Sequence, residues 1–196
     1  MSGARGERLA RGLCLAAGAL VLLGSLLPLW ECTLRARQYP DEPIRVVLYA
    51  GGLGGDLDEL GHLNQYIGVH LPASMPELHA IRIFLVVMGG ALLLAGLFSG
   101  RAGRFARRGA ALVLGLGLAG VIFVGQKRLY QIGHDRYAHA PIVGVPDFTP
   151  PVLGPAQVGN FHVLSLPASG GWLLATALFA AGAAGLLPKR GERRLV

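Results

Sequence analysis

The stretch "GLCLAAGALVLLGSLLPLW", residues 12–30, carries no charged side chain, and whether it forms one membrane-crossing helix decides the class of the whole chain. Its length is close to the ~20 residues that a helix rising ~1.5 Å per residue needs to cross a ~30 Å hydrocarbon core. Arg5, Arg8 and Arg11 precede it as the basic start of a secretory signal would. The run is long, however, and closes on Leu27-Pro28-Leu29-Trp30 without an A-x-A cleavage pattern, so an uncleaved anchor is expected. Leu13 ahead of Cys14 does not suit lipoprotein processing.

Three further apolar runs follow, at about 80–100, 109–126 and 170–187, in a chain of 196 residues that is 53% apolar with a mean hydropathy of +0.51. That exceeds what a soluble core requires. The expected fold class is therefore a membrane all-α protein: four transmembrane helices with a small α+β extracytoplasmic cap formed by the two outer loops. Charge orients it. Arginine and lysine cluster in 1–11, 101–108 and 188–196, which the positive-inside rule places in the cytoplasm. The expected organisation is a cytoplasmic N-terminus (1–11), span one (12–30), periplasmic loop one (31–79), span two (80–100), a cytoplasmic loop (101–108), span three (109–126), periplasmic loop two (127–169), span four (170–187) and a cytoplasmic C-terminus (188–196). Inner-membrane localisation follows, with both termini inside.

This sorting explains the net charge of +7. The inner segments sum to about +9 and the outer loops to about −3, so the basic balance is topological and nucleic acid is not an expected partner. No carboxylate or histidine stands at mid-span, which speaks against a proton- or ion-coupled transporter and against haem held by span histidines. Small residues are plentiful instead: Gly96 with Gly100, Gly115 with Ala119, and the run Ala180–Gly185, suited to close helix packing within the bundle or against a larger complex. Cys14 and Cys32 are expected roughly a bilayer apart, too far to pair with each other. Cys32 could be a tolerated interfacial residue, a free thiol, a metal ligand or an intermolecular partner.

All six histidines, all five tyrosines and all five aspartates fall in the outer loops, so any chemistry is expected outside the cytoplasm. In loop one, Ile44–Tyr49 reads as a strand, Gly51–Gly55 as a flexible turn, and Asp56 with Glu59 as a capping box for a short helix through Leu57, Leu60, Leu63 and Ile67, stopped by Gly68. The glycine turn lacks the Lys-Ser/Thr of a phosphate loop. Loop two carries Pro141, Pro146, Pro150, Pro151 and Pro155, so an extended path ending in a strand over Phe161–Leu166 is expected.

Together "GGDLDELGHLNQYIGVHLPASMPEL" and "GHDRYAHAPIVGVPDFTPPVLGPAQVGNFHVLSLP" resemble a family of small, largely uncharacterised bacterial four-span membrane proteins associated with copper-dependent respiration, including accessory functions of nitrous oxide reductase. The family pattern G-D-x-x-E-(x)-x-L-N-H-Y-I-G-M is matched at Gly55, Asp56, Leu63, Asn64, Tyr66, Ile67 and Gly68. The second loop matches at Gly133, His134, Ala140, Pro141, Ile142, Phe148, Pro150, Pro151, Gly154, Asn160, Phe161, Val163, Ser165 and Pro167. Gln65 and Val69 stand where the family has His and Met, the side chains there best suited to copper.

Two functions are expected from this reading. One is an accessory, assembly or subunit role in a copper-dependent respiratory or redox system, with Asn64, Tyr66, Asn160 and Phe161 docking a membrane or periplasmic protein. The other is metal binding, with His62, His134 and His162 converging on copper or zinc. No nucleophile motif or spaced zinc signature is present, and an enzyme is not expected.

Overall fold

A computed structural model describes residues 2–36, 42–67, 75–134, 148–158 and 161–187. The elements are α1 (Ser2–Gly24), β1 (Trp30–Ala36), β2 (Ile44–Tyr49), β3 (Gly52–Gly55), α2 (Leu57–Ile67), α3 (Pro76–Leu97), α4 (Gly100–His134), β4 (Gly154–Val158), β5 (Phe161–Pro167) and α5 (Ser169–Leu186). The strands form one antiparallel sheet in the order β3-β2-β1-β5-β4.

This corrects the expected class in two respects. The fold is mixed α+β rather than all-α, and among the described residues three helices, not four, are long and apolar enough to cross a membrane: α3, α4 and α5. The opening run, 12–30, is where the expectation fails. Its helix stops at Gly24, the chain tightens through Ser25–Leu27 with bonds from Leu26 N to Leu23 O and Leu27 N to Gly24 O, and Pro28 prevents resumption. Trp30 already belongs to β1. The apolar part of α1, 12–24, is thus only about 20 Å long at 1.5 Å per residue, and the rest of the helix carries Arg5, Glu7, Arg8 and Arg11.

The four long helices pack in a ring, each antiparallel to its neighbours, in the order α1, α3, α4, α5. Cys14, Ala17, Val21, Leu85, Met88, Leu92, Leu114, Leu174, Ala177 and Ala181 form the core between them. Small residues set the spacing. A Cβ on Gly18 would lie 2.9 Å from Gly89 O, so α1 meets α3 at backbone-level approach, and one on Gly117 would strike the Phe84 ring, which packs from α3 onto the α4 backbone.

One end of this bundle is tied by arginines reaching the carbonyl-bearing ends of helices. Arg11 donates from Nε to Gly96 O (3.0 Å) and from Nη2 to Leu97 O (3.1 Å), closing α3. Arg108 Nε donates to Gly185 O (2.8 Å), closing α5. Arg107, whose side chain is fully buried, donates to Phe98 O (3.1 Å) and to Glu7 Oε1 (3.1 Å), and the same carboxylate oxygen accepts from Gly100 N (3.3 Å) at the start of α4. A cation at a helix C-terminus and an anion at an N-terminus both match the helix dipoles.

The sheet sits at the opposite end. β1 follows α1, and β5 runs into α5. The joint is backbone to backbone: Gly170 N donates to Pro28 O (2.7 Å) and Ala168 N to Leu29 O (3.2 Å). A Cβ at Gly170 would lie 2.6–2.9 Å from the carbonyl oxygens of Gly24, Leu27 and Pro28, which is why glycine is needed there. Trp30 Nε1 donates to Val152 O (2.6 Å), Gln126 Oε1 accepts from Val152 N (3.2 Å), and Arg128 pairs with Glu77 (2.7 Å) across the ends of α4 and α3.

Candidate functional site

The head is a thin two-layer unit. Antiparallel pairing puts directly opposite residues on one face. Cys32, Val46 and Val163 line the inner face as a small buried cluster, and Trp30, Leu34, Leu53, Phe161 and the α2 residues Leu57 and Leu60 pack against it. α2 thus covers one face of the sheet.

Local sequence explains most of this. Ile44–Tyr49 is rich in β-branched and aromatic residues, and the strand forms there; α2 is described through Ile67. Two expectations are corrected. The glycine run does not end β2 as a flexible turn; Gly52–Gly55 pairs back on Tyr49–Val46 as β3, with the turn confined to Ala50 and Gly51. Asp56 is not the side-chain cap of α2. Its Oδ2 accepts from Arg45 N (2.9 Å), while its own N donates to Arg45 O (2.8 Å), so it extends the β2–β3 ladder and α2 starts from that clamp.

The candidate ligands sit on three different elements. His62 is exposed on α2, His162 is exposed on β5, and His134 is the last described residue of α4, stacked on Tyr130 (centroids 3.9 Å apart, rings 19° from parallel) with Nδ1 donating to Tyr130 O at 2.9 Å. Among the described residues, no three of His, Cys, Asp and Glu group closely enough to hold a metal ion.

Of the residues expected to dock a partner, Asn64 and Tyr66 lie in α2, and Asn160 falls outside the described residues. Phe161 is half-buried in the cluster beneath α2, where its ring helps to hold the head together.

Both cysteines are free and buried. Cys32 accepts a hydrogen bond from Ser165 Oγ (3.6 Å) on the neighbouring strand. Burial pushes its thiol above the ordinary value, and the Ser165 bond offsets part of that. A neutral, enclosed thiol is a poor nucleophile.

Sequence reasoning missed the outer face of the sheet. There the register aligns Arg35 with His162, and Thr33 with both Leu164 and Arg45. Its signal was the alternation in Trp30–Ala36, where Glu31, Thr33 and Arg35 interleave with Trp30, Cys32 and Leu34. Comparison with models of known protein families yields no match, and comparison with curated proteins yields none.

Proposed function

We propose that the protein is a membrane-anchored docking or assembly factor, held in the inner membrane by its apolar helices and presenting the head to a partner on the periplasmic side. The observation that carries this reading is the linker-free joint between bundle and head. β1 and β5 leave α1 and α5 within a few residues and are locked by Gly170 N to Pro28 O and Trp30 Nε1 to Val152 O. A head fixed at one height and angle relative to the bilayer lowers the orientational cost of binding a partner in the same membrane system.

Composition supports the anchor. Large apolar side chains such as Ile83, Leu94, Leu116, Phe123 and Phe179 face outward from α3, α4 and α5, a surface matched to lipid rather than water. The basic end of the bundle is cytoplasmic by the positive-inside rule, which sets the sheet outside. The resemblance of the two outer segments points to copper-dependent respiratory systems as the setting in which to look for the partner.

The test is photo-crosslinking in the source cells, with a photoreactive residue at Leu164 in the head or at Leu116 on α4. Protein adducts from position 164 and lipid adducts from position 116 are expected. Protein adducts from 116 alone would move the interaction into the bilayer and overturn the reading. Elemental analysis of the purified protein after Cu(I) loading is the companion measurement: near-stoichiometric copper lost in His134→Ala would replace docking with metal binding.

A further inference from the structure

The outer face of the sheet, opposite α2, is graded from apolar near the bundle to cationic away from it. On the bundle side stand Leu166 and Tyr49, 48% and 40% exposed, with Glu31 as the one acid between the strands there. Leu164, 44% exposed, comes one row further out and shares its row with Arg45 across Thr33. Arg35 and His162 face each other in the row beyond, both exposed. Among the described residues, neither Arg35 nor Arg45 has an ion-pair partner; the Asp56 carboxylate accepts from the backbone N of Arg45 instead.

We propose that this face docks a protein segment that is apolar where it approaches the bilayer and carboxylate-bearing where it meets Arg35, Arg45 and His162. The inference rests on the docking role proposed above and specifies the partner's chemistry.

Two other occupants fit less well. Arg35 lies about 17 Å beyond Trp30 along β1, at ~3.4 Å per residue, while headgroups extend only some 5–7 Å past the hydrocarbon core. With β1 along the membrane normal, the row of Arg35 and His162 is out of reach of lipids in the same membrane, and Arg45, in the row of Thr33 at about 10 Å, is one step nearer. A second copy would share the membrane plane, so its two-fold axis would run along the membrane normal and set each row against its own counterpart. Arg35 would then face the same row of the second copy, where no carboxylate stands among the described residues.

The experiment uses the full chain in phosphatidylcholine nanodiscs and a fluorescent eight-residue peptide with leucine at positions one and three, glutamate at five and seven, and serine elsewhere. Anisotropy should show saturable binding that weakens at least tenfold when both glutamates become glutamine, and that falls as salt rises. Arg35→Glu and Arg45→Glu should each weaken it several-fold, Arg35→Lys much less, and Arg101→Glu at the other end of the bundle not at all. Leu164→Ser should weaken the glutamate and glutamine peptides alike.

Equal binding of the two peptides, or no saturable binding up to millimolar concentration, overturns the proposal. So does a dimer in sedimentation that Leu164→Asp dissociates, which would assign the face to a second copy. So does binding to phosphatidylglycerol vesicles that depends on Arg35. Protein crosslinks from position 164 that persist after charge reversal would leave the docking function standing and remove only this account of its partner.

Discussion

Replacing Glu7 tests the packing logic of the basic end most directly. Arg107 is fully buried and Glu7 is 19% exposed; their 3.1 Å contact joins α1 to α4, which the ring order does not place side by side. Glu7→Ala leaves a buried guanidinium with only Phe98 O as partner, and it strips Gly100 N of its acceptor. Breaking one side of a buried pair costs about 3–5 kcal/mol. For a chain of this size, at about 2–4 °C per kcal/mol, the thermal midpoint should fall by about 6–20 °C. Arg107→Leu should cost a similar amount, because a partly buried carboxylate and the Phe98 carbonyl lose their donor. The double variant Glu7→Leu/Arg107→Leu leaves no unpaired charge, and its deficit should be no larger than that of the worse single variant. The assay is thermal unfolding in detergent at neutral pH, followed by the fluorescence of Trp30 and Trp172. Strictly additive losses would show that the two residues act independently and would refute the coupling.

Three further outcomes are expected. Gly170→Val places a side chain against three backbone carbonyls that cannot move aside, and should cost about 3 kcal/mol by thermal unfolding; Gly12→Ala, whose Cβ meets nothing within 4 Å, should be neutral or stabilising by up to ~1 kcal/mol. Trp30→Phe removes the bond to Val152 O and should lower stability by about 1–2 kcal/mol, read by the same assay. In a Cys14→Ala background, Cys32 should react with maleimide far more slowly in the folded protein than in denaturant. Because folding raises its pKa, the neutral thiol's contribution is intact below pH ~9 and is lost as pH rises beyond that, which a pH series of unfolding midpoints would show.

What was legible in the sequence followed local composition and pattern. β2 over Ile44–Tyr49 and β5 from Phe161 each express a signal contained within a few residues. The opening run misled because hydropathy sums over a window and ignores direction. Leu26, Leu27, Leu29 and Trp30 are as apolar as a span requires, yet Pro28 and the alternation that follows turn the chain into a strand. β3 and β4 were not readable. Glycine has the weakest strand preference, so Gly52–Gly55 pairs because β2 supplies a partner, and Gly154–Val158 accommodates Pro155 because β4 is an edge strand. The candidate face was hidden for the same reason. Arg35, Arg45 and His162 share it only through pairings up to 127 positions apart in the chain, and no local pattern encodes that register.

The arginines show how one sequence signal can serve two physical ends. Read as charge alone, Arg11, Arg107 and Arg108 vote for a cytoplasmic end of the bundle. In the structure each is also a hydrogen-bond donor to carbonyls at the end of a helix, a group that at a membrane boundary has water on one side only. The two roles reinforce each other. A long side chain rooted on a neighbouring helix can satisfy those carbonyls while its charge faces the negative end of the helix dipole. Arg5, Arg8 and Arg101 are exposed and have no hydrogen bond or ion pair among the described residues, so in the proposed membrane topology orientation is the role left to them. Neutralising that exposed set should therefore disturb insertion and orientation while leaving the melting point of correctly inserted protein nearly unchanged. Neutralising Arg11 and Arg108 should lower the melting point even where orientation is preserved.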